Sequence, residues 1–372
     1  MRSARAARCL HQLLGQASSM NLNPFLLVIA LGTVPTPLAA QYKPEFKMSV
    51  VVNQETAWGR AAQRFADAVK YRTQGRLQIK NYFDGQLMAG KQTTEFTLLQ
   101  QGVADFAIGT TINWSPQVKE LNLFGLPFMF PSYAAVDAVE AEEPGKRLFK
   151  LIEQTGVVPI AWGENGFREL TNSKRPIRRP EDLHGLKIRV VAVPMFLEIF
   201  QALGANPVGM NFDQALIAFQ QGTVDGQENP VALIIPYRLW EVHRYVTLWH
   251  YSIDALILAV SAKTWTSLSL DDQNILREVG EVVMGLQKDE VREAPVRPAK
   301  LIQLLQDMYG MEVVRPSPPE LEVFRNQTRD VYRKWAEKIG MELVSSAEKV
   351  IESGKWQLLR YFRLGVILSR LP

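Results

Sequence analysis

Three short runs carry the residue types from which a binding or catalytic site is usually built. They are Gly166-Phe167-Arg168, the stretch from Leu183 to Val190 that contains Arg189, and Asp225-Gly226-Gln227-Glu228-Asn229-Pro230. Arg189 stands between the apolar Ile188 and Val190 at the end of a predicted strand, shortly before a helix that opens at Pro194. In an open α/β sheet, ligands gather beyond the carboxyl ends of the strands. A guanidinium placed there can hold a carboxylate through two parallel hydrogen bonds. From spacing alone, an arginine on a solvated strand face is an equal alternative. Asn229 directly precedes Pro230, the order expected of a helix N-cap and the first helical residue, and such a helix start also favours an anion.

Other chemistry finds less support. Gly85-Gln86-Leu87-Met88-Ala89-Gly90-Lys91 has the spacing of a phosphate-binding loop between a strand and a helix, but Gln92 follows where a Ser or Thr hydroxyl would be needed for magnesium. A nucleotide-binding enzyme is therefore the rival to a binding protein, and a strand-to-helix turn is the plainer account of the loop. No G-x-S-x-G elbow and no H-E-x-x-H occurs. Beyond residue 40 the histidines are His184, His243 and His250, whose spacing suits neither a metal site nor a histidine-dependent triad. The sequence thus implies no metal, no cofactor and no catalytic group.

The whole chain bounds these possibilities. Its 372 residues, 47% of them hydrophobic, exceed one ordinary domain, so two lobes are expected. Residues 1–40 have the form of an export signal: Arg2, Arg5 and Arg8, an apolar run from Phe25 to Leu31, and small residues ending at Ala39-Ala40. The apolar run is too short to span a bilayer. Without that segment the formal charge of +4 falls to +1, which gives no basis for nucleic-acid binding. Cys9, the one cysteine, lies in the same segment, so the mature chain is expected to be thiol-free, as suits an oxidising compartment.

The elements that must position the site alternate. Strands are predicted at 47–52, 76–83, 104–110, 157–162 and 186–191, and helices at 60–70, 93–101, 194–203 and 213–221. Such alternation gives largely parallel sheets covered by helices, here in two units. The segment Gln100-Gln101-Gly102-Val103-Ala104-Asp105 recurs as Gln220-Gln221-Gly222-Thr223-Val224-Asp225, an echo that two similar lobes would produce. A long helical stretch follows Ser269 to about Gln306, with a bend or break expected at Pro295 and Pro298, and one further helix covers 320–339. The tail from Trp356 to Pro372, rich in Leu, Val and Ile with three arginines, is expected to pack on the body.

Between Phe46 and Gly340 the chain resembles the solute-binding subunits of tripartite ATP-independent periplasmic (TRAP) transporters, of the dicarboxylate-binding DctP type. The signatures are Gly85-Gln86-Leu87, Gly125-Leu126-Pro127-Phe128, Pro180 to Arg189, Leu203-Gly204-Ala205-Asn206-Pro207 and Asp225 to Pro230. The resemblance implies an α/β periplasmic binding protein-like fold of type II character, with two lobes, hinge strands and a long helix spanning both. It implies lobe I at 41–164 plus 254–294, lobe II at 165–253 plus 295–350, and a C-terminal extension at 351–372. It further implies that Arg189 grips a ligand carboxylate, Arg168 assists, Asn229 completes the grip and Phe212 packs against the ligand. Thr110 and Trp114, just past a strand end, are assigned to the first lobe's share of the wall. The function implied is a monomeric periplasmic protein that captures a small organic acid, without cofactor, and delivers it to TRAP membrane subunits. A sensor kinase as the downstream partner is the alternative. The Pro295/Pro298 pair and the C-terminal tail depart from the family pattern.

Overall fold

The computed structural model describes residues 42–292 and 297–354. The expected signal segment, Cys9, Pro295 and the tail from Trp356 lie outside them.

The first βα units are those the alternation suggests. Strand β1 (Phe46–Val50) leads into helix α1 (Ala57–Arg72), whose N-cap Thr56 accepts from the Gly59 N–H. Then come β2 (Ile79–Tyr82), α2 (Glu95–Gln101), β3 (Phe106–Thr110) and the single turn α3 (Thr111–Trp114), with β1 parallel to both β2 and β3. Helices α4 (Tyr133–Ala141) and α5 (Glu143–Glu153) precede β4 (Val157–Asn172). A second set follows: β5 (Lys187–Val190), α6 (Pro194–Ala202), β6 (Asn206–Gly209), α7 (Phe212–Gln220) and β7 (Gly226–Pro230). Strand β8 (Tyr245–Ser261) returns, and α8 (Ala262–Ser267), α9 (Leu270–Arg292), α10 (Arg297–Asp307) and β9 (Glu312–Val314) come after it. Helices α11 (Pro318–Gln327), α12 (Arg329–Ile339) and α13 (Met341–Glu352) end the described chain.

Among the described residues the strands form one sheet in the order β2-β1-β3-β8-β4-β7-β5-β6, with β9 beside β8. The two long strands join the lobes. The early part of β4 pairs antiparallel with the late part of β8, and β8 there pairs with β3 of the first lobe. The late part of β4 pairs with β7 of the second lobe. Between these parts the register shifts at Glu164/Gly166 and again at Arg168/Leu170, bulges that bend and twist the ribbon where it crosses. Gly166 has φ +118°, a backbone state that side chains rarely adopt. Helix α9 packs along β4 and α1, and Gln287 on it bonds the Glu164 N–H and C=O.

The internal echo is structural. Gly102 and Gly222 end their helices in the left-handed conformation, and the next N–H in each case bonds a carbonyl five residues back. Asp105 then clasps Lys47 on β1: its N–H bonds the Lys47 carbonyl at 2.9 Å and its Oδ2 accepts the Lys47 N–H at 2.7 Å. Asp225 treats Lys187 on β5 identically, at 2.8 and 2.8 Å.

Three expectations need correction. Strand β4 does not stop at Trp162 but runs ten residues further, to Asn172. Residues 320–339 are two helices parted by a turn at Thr328, whose hydroxyl bonds back to the Phe324 and Arg325 carbonyls, a contact that bends helices. Asn229 does not cap a helix: it lies on β7, paired opposite Glu169 of β4, and only a three-residue turn follows Pro230.

Candidate ligand-binding site

A cavity lies where the lobes meet. The first lobe contributes Val51, Val52, Trp58, Gln92, Thr110 and Asn113. The second lobe and the crossing strands contribute Asn165, Arg168, Arg189, Val191, Phe212, Asn229, Leu233 and Asp254. The space left for the centres of water-sized molecules is about 30 Å³, where a single water needs ~10–15 Å³. The enclosure therefore suits a small molecule. A larger groove of about 300 Å³ between Phe128 and helices α11 to α13 is lined by Arg325, Arg329 and Glu352, whose charged ends are at the surface.

The two arginines in the cavity differ in their partners. Arg168, from β4, donates from Nη1 to Asp254 Oδ2 at 2.8 Å and from Nη2 to Glu228 Oε1 at 2.9 Å and to the Glu228 carbonyl at 2.7 Å; its Nε also meets Glu228. Burial alone would lower its pKa, but the charges of Glu228 and Asp254 outweigh that and raise it. Arg189, from β5, is 1% exposed and forms no ion pair among the described residues. Its Nε and Nη2 donate to the Met210 carbonyl at 3.1 and 2.8 Å, and Nη2 reaches Gln92 Oε1 at 3.4 Å. Burial lowers its pKa to about 10 and Arg168 adds to the effect, against the nearby charges of Glu228 and Asp213. The Phe212 ring lies 5.5 Å from its guanidinium carbon. A desolvated cation that no carboxylate hydrogen-bonds among the described residues is one that a ligand carboxylate would complete.

The rest of the wall is polar on one side and apolar on the other. Asp254 is 1% exposed; its Oδ2 accepts from Asn165 at 2.9 Å and from Arg168, while among the described residues its Oδ1 has only the Thr110 hydroxyl beside the carboxylate. Burial raises its pKa, with Arg168 and Asn165 pulling the other way. Thr110 accepts from the Asn113 N–H at 3.0 Å, and Asn229 Nδ2 donates to Gln227 Oε1 at 2.8 Å. Gln92 bridges the lobes: its Oε1 accepts the Phe212 N–H at 2.8 Å and its Nε2 donates to Asn113 Oδ1 at 2.7 Å. Tyr237 adds a second tie, accepting the Asn53 N–H at 2.8 Å. The lobes are shut over the cavity.

Residues 48–338 match the family described as bacterial extracellular solute-binding protein, family 7. The chain belongs to this family. A TRAP periplasmic solute-binding protein from Ralstonia eutropha, solved with (S)-2-hydroxy-2-methyl-3-oxobutanoate, is 45% identical, with a TM-score of 0.82 over 84% of this chain and 100% of that one. Another, from Sulfurospirillum deleyianum with succinate, is 25% identical with a TM-score of 0.77, covering 84% and 99%. A solute-binding protein of Roseobacter denitrificans is 32% identical over 270 residues, 72% of this chain and 81% of its own length.

In this family 7 protein, five of the six residues singled out from the sequence share the cavity: Arg189, Arg168, Asn229, Phe212 and Thr110. Trp114 does not line it. It is fully buried behind the wall, edge-on to Phe96, with its indole N–H on Glu95 Oε2 at 3.0 Å. Sequence reasoning missed Gln92, Asn113, Asn165 and Asp254. Gln92 counted there only as the residue that spoils a phosphate loop. Asp254 had a usable signal: it is a lone acid between Ile253 and the run Ala255 to Val260, and a charge inside a buried strand needs a purpose.

Proposed function

We propose that this chain is an exported, monomeric solute-binding protein that captures a small organic acid in the periplasm and hands it to TRAP membrane subunits, without catalysis. The observation that carries this reading is Arg189, a buried guanidinium that no carboxylate hydrogen-bonds among the described residues, on the wall of a cavity closed between two lobes. Arg189 takes the ligand carboxylate. Asn229 and Thr110 offer polar contacts, Phe212 covers the ligand's apolar side, and Arg168 organises the acids beside it. Trp114 supports the wall from behind. We assign residues 41–164 and 254–294 to one lobe and 165–253 and 295–350 to the other, with the crossing strands as the hinge. The acids held by the Ralstonia and Sulfurospirillum relatives support an organic acid as the ligand class. Closure around the acid presents a distinct shape to the membrane partner.

A thermal-shift screen of short organic acids tests the reading, because a ligand that binds only the folded state raises the melting temperature by mass action. At least one short hydroxy-, keto- or dicarboxylic acid should raise it in a dose-dependent manner. A folded protein that no such acid stabilises would refute the proposal.

A further inference from the structure

Resting on the reading of this chain as an organic-acid binder, we infer that the cavity selects a short hydroxy monocarboxylate over a dicarboxylate, with Asp254 accepting the ligand's hydroxyl. Three independent observations lead there.

The first is the charge tally. Two guanidinium groups, Arg168 and Arg189, stand with two buried carboxylates, Glu228 and Asp254. Both carboxylates are hydrogen-bonded to Arg168, so among the described residues Arg189 is the cavity cation that holds no carboxylate and can still take an anion. One ligand carboxylate completes it. A second would be enclosed beside Asp254 and Glu228 with no cation left for it, and an unpaired buried charge is strongly disfavoured.

The second is the Asp254 carboxylate in the cavity wall: Asn165 and Arg168 take its Oδ2, while among the described residues Oδ1 has only the Thr110 hydroxyl beside the carboxylate and keeps a lone pair open. An ionised carboxylate only accepts hydrogen bonds. Its complement is therefore a donor, which a hydroxyl provides and a keto oxygen or a carboxylate does not. Thr110, close enough to lower the Asp254 pKa, lies on the same wall and can orient that hydroxyl.

The third is size. Val51, Val191, Leu233 and Phe212 on the apolar side of a small cavity suit a short alkyl group.

Calorimetric titration of the purified protein with 2-hydroxy-2-methylbutanoate, 2-methylbutanoate and succinate tests this. A site built around a ligand hydroxyl rejects the analogue lacking it, so the hydroxy acid should bind at least about tenfold tighter than either of the others. Asp254→Asn should shrink the gap between the hydroxy acid and its deoxy analogue to within about threefold, and it should strengthen succinate binding by removing one buried negative charge. If Asp254→Asn does not fold, the wild-type comparison decides alone. Binding of 2-methylbutanoate or succinate as tightly as the hydroxy acid overturns the inference and leaves the organic-acid reading standing. If none of the three binds, the inference falls, and the thermal-shift screen decides the organic-acid reading.

Discussion

Replacing Arg168 and Arg189 in turn by methionine should break two different properties of the protein. Arg168→Met leaves Glu228 and Asp254 as buried carboxylates without their cation, and breaking a buried pair in this way costs about 3–5 kcal/mol of stability. At roughly 2 °C per kcal/mol for a body of this size, the melting temperature should fall by about 6–10 °C. Arg189→Met strands no carboxylate. The Met210 carbonyl that Arg189 holds is half-buried and can turn to water, so the fold should lose about 1 kcal/mol. Its effect is on the ligand, whose carboxylate would be enclosed without a partner at a cost of about 3–5 kcal/mol, or a hundredfold to a few thousandfold in affinity. Arg189→Lys should also bind at least about tenfold more weakly, because a point donor cannot reproduce the planar fork. Scanning calorimetry on the unliganded proteins and titration with the best acid from the screen measure the two quantities separately. The reasoning is refuted if Arg189→Met melts as early as Arg168→Met, or if it binds within about threefold of wild type.

Two buried titratable groups give opposite pH dependences, and one glycine tests closure. Burial pushes the Glu95 carboxyl up to about 8, against hydrogen bonds from Ser49 and Trp114. The stability supplied by its proton is complete below the unfolded value near ~4.3 and is lost as pH rises through about 8. Glu95→Gln should flatten that loss in melting curves taken between about pH 5 and 9, and parallel curves would contradict it. Burial lowers His243 to about 4, so its contribution is present above ~6.5 and lost as pH falls through 4; His243→Gln should lessen acid destabilisation in denaturant titrations at about pH 4 and 7. A Cβ on Gly90 would lie 2.1 Å from Asp213 Oδ2 across the cleft, so Gly90→Ala should weaken ligand binding severalfold, and adding Asp213→Ala should recover part of the loss in the same titration. No recovery would mean that the strain of φ +78° is the whole effect.

The sequence made the short elements legible and the long ones obscure, for a physical reason. Strands such as Phe106–Thr110 and helices such as Phe212–Gln220 announce themselves by local pattern, and the helix stops at Gly222, whose left-handed backbone no other residue adopts cheaply. Strand β4 has no such period beyond Trp162. Gly163-Glu164-Asn165-Gly166 has the composition of a turn, and Arg168 and Glu169 look solvated. These residues make a buried strand only because their partners come from elsewhere: Arg168 finds Glu228 and Asp254, 60 and 86 positions away. Glu169 accepts the Trp249 N–H at 2.7 Å and the His250 N–H at 3.0 Å. A polar network of this kind is set by topology, and no window along one chain displays it.

The same point explains why the sequence could not rank the two arginines. Arg168 and Arg189 are equally buried, both project from strands, and both line the cavity. What separates them is counter-charge. Arg168 sits where β4 and β8 cross between the lobes, fastened to β7 through Glu228 and to β8 through Asp254. On the far side of the same crossing, Arg292 of α9 pairs with Glu164 and Asp137, while Lys288 pairs with Asp137 and Glu140. Charged groups thus hold the crossing strands on both sides, and their ion pairs are complete within the protein. Arg189 stands off that lattice, on β5, held only by a carbonyl and by Gln92 from the opposite lobe. An anion arriving there meets a cation whose desolvation has already been met by folding, in contact with the residue that ties the lobes together. Ligand capture and lobe closure therefore act on the same side chain, while Arg168, Arg292 and Lys288 keep their own carboxylate partners in the hinge whether or not a ligand is bound.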